Sequence, residues 1–149
     1  MRFSKMLTIL PIVVASYAFA SPLEKRVTVS DIGDIISPTD GSSITPGTPF
    51  SFQYADGYGA GCYAGYTSID VWLVDHEPTG SDLNSTYQFP DGNFLYHFGS
   101  YTIINFIGLP PGVNPSPPST LTLPDPLDAA YDNQEVWFAV TEELSACVV

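Results

Sequence analysis

Hydrophobic and polar positions alternate along this chain in short runs punctuated by glycine and proline. Phe50-Ser51-Phe52-Gln53-Tyr54 carries an aromatic ring at every second position, the pattern of a strand with one buried face. In Ile69-Asp70-Val71-Trp72-Leu73-Val74, Ile69, Val71 and Leu73 share one face while Trp72 and Val74 share the other, which predicts a central strand. Phe94–Phe98 and Tyr101–Phe106 predict two further strands, and Val136–Val140 predicts the last strong one. Leu121-Thr122-Leu123 lies between prolines and suits a sheet edge. An early strand, Asp34–Ser37, leads into Pro38-Thr39-Asp40-Gly41, which reads as a turn with proline at its first central position. Pro46-Gly47 marks a second turn, just ahead of Phe50. No window shows a sustained helical stripe, and Pro110–Pro118 reads as an extended surface loop. About seven short strands with turn chemistry between them predict an all-β chain folded as a single β-sandwich.

The first 26 residues read as processing sequence. Arg2 and Lys5 form a positive start, Met6–Ala15 is an apolar run, and Ala18-Phe19-Ala20 has the small residues of a signal-peptidase site. The expected division is a signal peptide over 1–20, a propeptide over 21–26 ending in the dibasic pair Lys25-Arg26, and a β-sandwich domain over 27–149. The dibasic pair resembles a kexin-type site of the fungal secretory pathway; the competing reading is that Lys25 and Arg26 simply start a strand. The apolar run is shorter than the roughly 20 residues of a membrane span. No second run of spanning length follows, and Cys147 stands third from the end rather than at the prenylation position. The expectation is a secreted, extracellular protein.

Charge narrows the partners. All four Lys and Arg residues precede Val27, whereas only one of the 16 acidic residues, Glu24, does. Residues 27–149 therefore carry 15 carboxylates against no Lys or Arg, a formal charge of −15 where the full chain has −12. Such a surface cannot neutralise phosphates, so nucleic acid and anionic membrane are not expected as partners. Cys62 and Cys147 are the only cysteines, and in an oxidising compartment one bridge between them is the simplest outcome. That bridge would be worth roughly 4 kcal/mol in the chain-entropy model; two free or intermolecular thiols are the alternative. Cys62 sits in a Gly-rich loop rather than in a strand, so a loop-to-tail connection is expected.

Signatures of catalysis are sparse. No G-x-S-x-G is present. Asp75-His76-Glu77 reads as an exposed strand-end loop, and His97, set among aromatics, as a satisfied half-buried residue. Two histidines cannot fill a three-histidine zinc site, no calcium loop of the D-x-D-x-D-G kind occurs, and pairs drawn from so many acids carry no information. Copper oxygenases of polysaccharides need an N-terminal histidine, where this chain would offer Ser21 or Val27. No catalytic residue, metal or cofactor is expected. Asn84-Ser85-Thr86 is the one allowed glycosylation sequon, since Asn114 is followed by Pro115. Tyr58, Tyr63 and Tyr66 crowd the Gly-rich loop around Cys62; they read either as partner contacts or as packing around the bridge.

Two stretches carry a resemblance. The first is Ile36-Ser37-Pro38-Thr39-Asp40-Gly41 continuing through Ile44-Thr45-Pro46-Gly47-Thr48-Pro49 to Phe50–Tyr54. The second includes Tyr66, Val71-Trp72-Leu73, Phe94 to Phe98, Pro117-Pro118, Leu121–Asp125 and Val136–Glu143. Together they resemble the necrosis-inducing secreted effector family of fungi, in its basidiomycete branch. The family pattern has a further strand after the last strong one, whereas this sequence ends at Val149. The resemblance implies a non-enzymatic effector that suppresses plant pattern-triggered immunity by binding immune receptor-like kinases or their partner kinases. No family motif maps contact residues onto this chain. The first stretch also resembles the immunoglobulin-like module of fungal cell-wall proteins linked to β-glucan organisation, which implies a wall glycan as the alternative partner. On either resemblance the sandwich would be immunoglobulin-like, although Cys62, Trp72 and Cys147 fit the disulfide-and-tryptophan pattern of antibody domains poorly.

Overall fold

The computed structural model describes residues 21–22, 33–57, 65–125, 131 and 134–143. The chain is all-β: nine strands are described, with one 3-10 turn at Gly80–Asp82. They are β1 (Ser21–Pro22), β2 (Asp34–Ser37), β3 (Ser43–Ile44), β4 (Pro49–Ser51), β5 (Gln53–Ala55), β6 (Tyr66–Val74), β7 (Tyr96–Ile104), β8 (Thr120–Thr122) and β9 (Trp137–Glu143). All pairings are antiparallel. Rather than two continuous sheets of about seven strands, they make four small ones: β1–β3, β2–β5, β4–β8 and β7–β6–β9.

The three-stranded sheet is the frame, and β6 is its centre, as its two-sided apolar pattern predicts. Its inner face carries Ile69, Val71 and Leu73, all buried with Phe138 of β9. The short pairs supply the layer over this face through Ile35, Ile44, Phe52, Leu121 and Leu123. Phe138 is the junction, with ring centroids 6.0 Å from Phe50, 5.8 Å from Phe52 and 5.6 Å from Phe98. The outer face carries Trp72, Val74 and Ala139, covered by Phe89, Leu83 and Phe94 from the 75–95 loop. Trp72 is thus on the side away from the main core, which separates it further from the antibody pattern.

Three local expectations are corrected. Phe94–Phe98 and Tyr101–Phe106 are not two strands: one strand, β7, takes Tyr96–Phe98 from the first and Tyr101–Ile104 from the second, with a register shift opposite Val71/Trp72. Tyr96 and Phe98 face the core on even positions, while Tyr101 and Ile103 face it on odd ones. An uninterrupted strand would turn one pair outward; the bulge at Gly99, with φ 136, absorbs the change of parity. Conversely, the run Phe50–Tyr54 is divided, because β4 pairs with β8 and β5 with β2. Between them Phe52 donates its N–H to Ser119 O at 2.9 Å. Finally, the first turn spans Thr39–Ser42, closed by Ser42 N–H to Thr39 O at 3.1 Å, with Gly41 at φ 73. Proline precedes this turn and does not occupy its first central position; the left-handed site takes the glycine.

The Pro-rich segment is bound to the edge of β7. Thr102 N–H donates to Pro115 O at 2.9 Å, and Asn114 N–H to Thr102 Oγ1 at 3.3 Å. Gly112 lies so close that a Cβ there would collide with Thr102 Cγ2 and meet its Cβ at 2.7 Å. Thr102 is buried in mid-strand and cannot yield. Gly112→Ala is therefore expected to lift the loop and cost about 1–3 kcal/mol, read as a lower urea midpoint; faster amide exchange at Thr102 would localise the damage.

The predicted signal peptide and the Lys25-Arg26 pair lie outside the described residues. β1, however, falls within the expected 21–26 propeptide and pairs with β3, Ser21 opposite Ile44 and Pro22 opposite Ser43. A cut after Arg26 would remove that pairing.

Candidate functional site

Strand register brings a polar cluster to the middle of the outer face. Asp70 of β6 stands opposite Ser100 of β7 and Thr141 of β9. Its Oδ1 accepts from Ser100 Oγ at 2.5 Å and pairs with His97 Nε2 at 2.9 Å; Oδ2 receives Gln88 Nε2 at 3.4 Å. The His97 ring stacks on Trp72 at 3.9 Å between centroids, and Trp72 Nε1–H donates to Thr141 Oγ1 at 3.1 Å.

Serine, histidine and aspartate within one cluster invite a comparison with nucleophilic catalysis. That chemistry needs the serine proton directed at the imidazole and the carboxylate on its other nitrogen. Here Ser100 and His97 converge on the same carboxylate oxygen, so the serine proton is committed to Asp70. The wiring joins β6, β7 and the 75–95 loop; it does not activate Ser100. His97 is the satisfied, half-buried residue its aromatic neighbours suggest.

His76 is a loop residue, as expected. Its Nδ1 lies 2.8 Å from Asp75 Oδ1 and its Nε2 lies 3.6 Å from Asp82 Oδ2, with the imidazole 42% exposed. Asp82 accepts from Thr79 N–H and Oγ–H, and these bonds, chiefly the backbone one, hold its carboxyl below the ordinary range. Among the described residues no three His, Cys, Asp or Glu side chains stand close enough to hold a metal ion.

A second polar group anchors the foot of the Gly-rich loop. Tyr54 O–H donates to Glu142 Oε2 at 2.5 Å, and Gly57 N–H donates to Glu142 Oε1 at 3.1 Å. Thr67 Oγ–H bonds Asp56 at 2.6 Å and accepts from Asn105 Nδ2 at 2.9 Å. Burial, then the bond to Glu142 and the charges of Glu142, Asp56 and Asp34, push the Tyr54 phenol far above its ordinary value of 10.0. A raised folded-state value means that its stabilisation is complete below pH 10.0 and drains away as pH climbs past it. Tyr54→Phe is expected to cost about 1–2 kcal/mol at neutral pH and to flatten the alkaline loss of stability, measured by denaturant titration across that range.

No protein-family model, curated protein or solved structure matches the chain. The site must therefore be read from its own geometry.

Of the expected contact residues, only Tyr66 is described. It is half-buried, and its O–H donates to Pro110 O at 3.0 Å, which makes it a tie between β6 and the Pro-rich loop. Tyr58 and Tyr63 lie outside the described residues, as do Cys62 and Cys147. Asn84 lies exposed on the 75–95 loop.

The end of the frame held by Tyr66 carries a feature the sequence reading did not single out. Beyond β7 the chain turns through Phe106, Ile107 and Gly108, and Ile107 is fully exposed. Val113, on the Pro-rich loop between the two residues that meet Thr102, is fully exposed as well. Ile104 adds a further partly exposed aliphatic surface. Ile107 and Val113 are thus two branched side chains held in water on loops bonded to the frame. The available signal was the loss of alternation at Phe106-Ile107 just before glycine, in a stretch otherwise read as strand.

Proposed function

We propose that this protein is a secreted, effector-type binding protein that docks on a host immune-signalling protein, a receptor-like kinase or its partner kinase, and so suppresses pattern-triggered immunity in a plant. The observation that carries the binding reading is the pair of fully exposed aliphatics, Ile107 and Val113, on loops bonded to the frame. The immune target rests on the resemblance to the necrosis-inducing secreted effectors. We propose in addition that the two-layer core belongs to an immunoglobulin-like sandwich, closed by a bridge between Cys62 and Cys147.

Charge sets the kind of partner. Among the described residues no Lys or Arg accompanies the carboxylates, so the matching surface is apolar at its centre and basic at its rim. The test is the oxidative burst of leaf tissue given a microbial elicitor while expressing the chain from Ser21, with or without a plant signal peptide, beside an inert secreted control. Suppression supports the reading, and the form that suppresses tells on which side of the membrane the target lies. A normal burst with both forms accumulated overturns it and favours the wall-associated alternative.

A further inference from the structure

We infer that Asn84 carries an N-linked glycan and that the folded loop is built to bear it without losing a single hydrogen bond. The sequon Asn84-Ser85-Thr86 is exposed, as are Tyr87 and Gln88 after it. Within this loop the two ends of the Asn84 side chain have separate roles. Its Oδ1 is an acceptor only, taking Thr86 N–H at 2.9 Å, Thr86 Oγ–H at 2.6 Å and Gln88 N–H at 3.1 Å. The backbone closes around it through Asn84 N–H to Gln88 O at 2.9 Å and Tyr87 N–H to Asn84 O at 3.0 Å. Every hydrogen bond of the Asn84 side chain among the described residues uses Oδ1. Nδ2, the atom that takes the sugar, holds nothing in place.

The chemistry is a transfer from a polyprenyl-diphosphate-linked oligosaccharide in the secretory pathway. Nδ2 of Asn84 forms a bond to the anomeric carbon, the bond from that carbon to the diphosphate oxygen breaks, and the polyprenyl diphosphate leaves as one amide proton is lost. The primary carboxamide becomes a secondary amide with its carbonyl oxygen intact, so the three bonds to Oδ1 survive the modification.

The position also decides what the glycan covers. The 83–94 segment lies over the outer face through Phe89 and Phe94 on Trp72 and Gln88 on Asp70. Tyr66, which ties the opposite end of β6 to the Pro-rich loop, is four residues of strand from Asp70, about 13 Å. The sugar would shield the Trp72 half of the molecule and leave the Ile107 and Val113 end open. This last point rests on the proposed docking reading; occupancy of Asn84 does not.

The experiment is intact-mass analysis of the full chain secreted from a eukaryotic host, with a second version carrying an added secretion signal so that entry into the pathway is assured. The expected result is a heterogeneous mass increment that peptide-N-glycosidase removes, leaving aspartate at position 84. Thr86→Ala should abolish the increment while keeping the Oδ1 bonds from the Thr86 and Gln88 main chain, and Thr86→Ser should retain it. The enzyme-treated protein should keep its melting midpoint, because a carboxylate at 84 still accepts all three bonds. Secreted protein at the bare polypeptide mass, or an increment that persists in Thr86→Ala, overturns the assignment. Loss of burst suppression on removing the glycan, with occupancy shown, would instead sink the open-end reading alone.

Discussion

Phe138→Ala is expected to destabilise the protein by about 3–5 kcal/mol, a large share of the whole stability of a domain of this size. Phe138 is 2% exposed and meets three rings, Phe50 and Phe52 from the covering segments and Phe98 from the frame. Truncation removes its own transfer free energy and leaves a cavity lined by three aromatic rings whose backbones are held separately, Phe50 in β4, Phe98 in β7 and Phe52 between strands by its bond to Ser119. Those rings cannot close the gap together, so the cavity cost is paid nearly in full. Each edge-to-face contact adds roughly 0.5–1.5 kcal/mol beyond area. Denaturant unfolding followed by tryptophan fluorescence gives the value, and Phe138→Leu should recover about half of the loss. A midpoint for Phe138→Ala within about 0.5 kcal/mol of the parent would mean that the two layers are not joined at this ring.

The second large effect is expected at the other kind of hydrophobic residue, the exposed one. Ile107→Asp together with Val113→Asp should abolish suppression of the oxidative burst while leaving the melting temperature unchanged. Both side chains are fully exposed in the free protein, so their replacement disturbs no packing. In a docked complex the same positions would put unpaired carboxylates into an apolar contact, on a chain already rich in negative charge. Truncation of a binding hot spot costs at least about 2 kcal/mol, roughly thirtyfold in affinity, and a buried charge adds to that. A folded double variant that still suppresses the burst would remove this end of the molecule from the contact surface. Val113→Ala alone should give a smaller effect, since it loses contact area without introducing charge.

Different parts of this molecule were legible in the sequence to different degrees, for identifiable reasons. The segment Ile69–Val74 announces itself because a central strand must be apolar on both faces, and Ile69, Val71, Leu73, Trp72 and Val74 are; pairing extends the strand back to Tyr66. Strand β7 did not, because its alternation changes parity at Gly99, and a reader of pattern sees two strands where hydrogen bonding makes one. The run Phe50–Tyr54 has the opposite problem: its alternation is continuous, yet its partners change at Phe52, and pairing leaves no mark on one strand's own pattern. The site was less legible still. Asp70, Ser100 and His97 lie up to 30 positions apart, and only the register between β6 and β7 brings them onto one oxygen.

Side-chain periodicity and the placement of glycine and proline determined that the chain is all-β and where its central strand lies, and composition alone that no Lys or Arg follows Arg26. These are local quantities, since each depends on residues a few positions apart. Tertiary structure alone decided how strands group into four small sheets, that Trp72 faces away from the main core, that Ser100 gives its proton to a carboxylate, and that Ile107 and Val113 stand in water. The physical reason is that burial and hydrogen-bond partnership are properties of pairs of distant segments. An apolar residue in a loop has the same chemistry whether a neighbouring strand covers it or not, and only the folded chain says which.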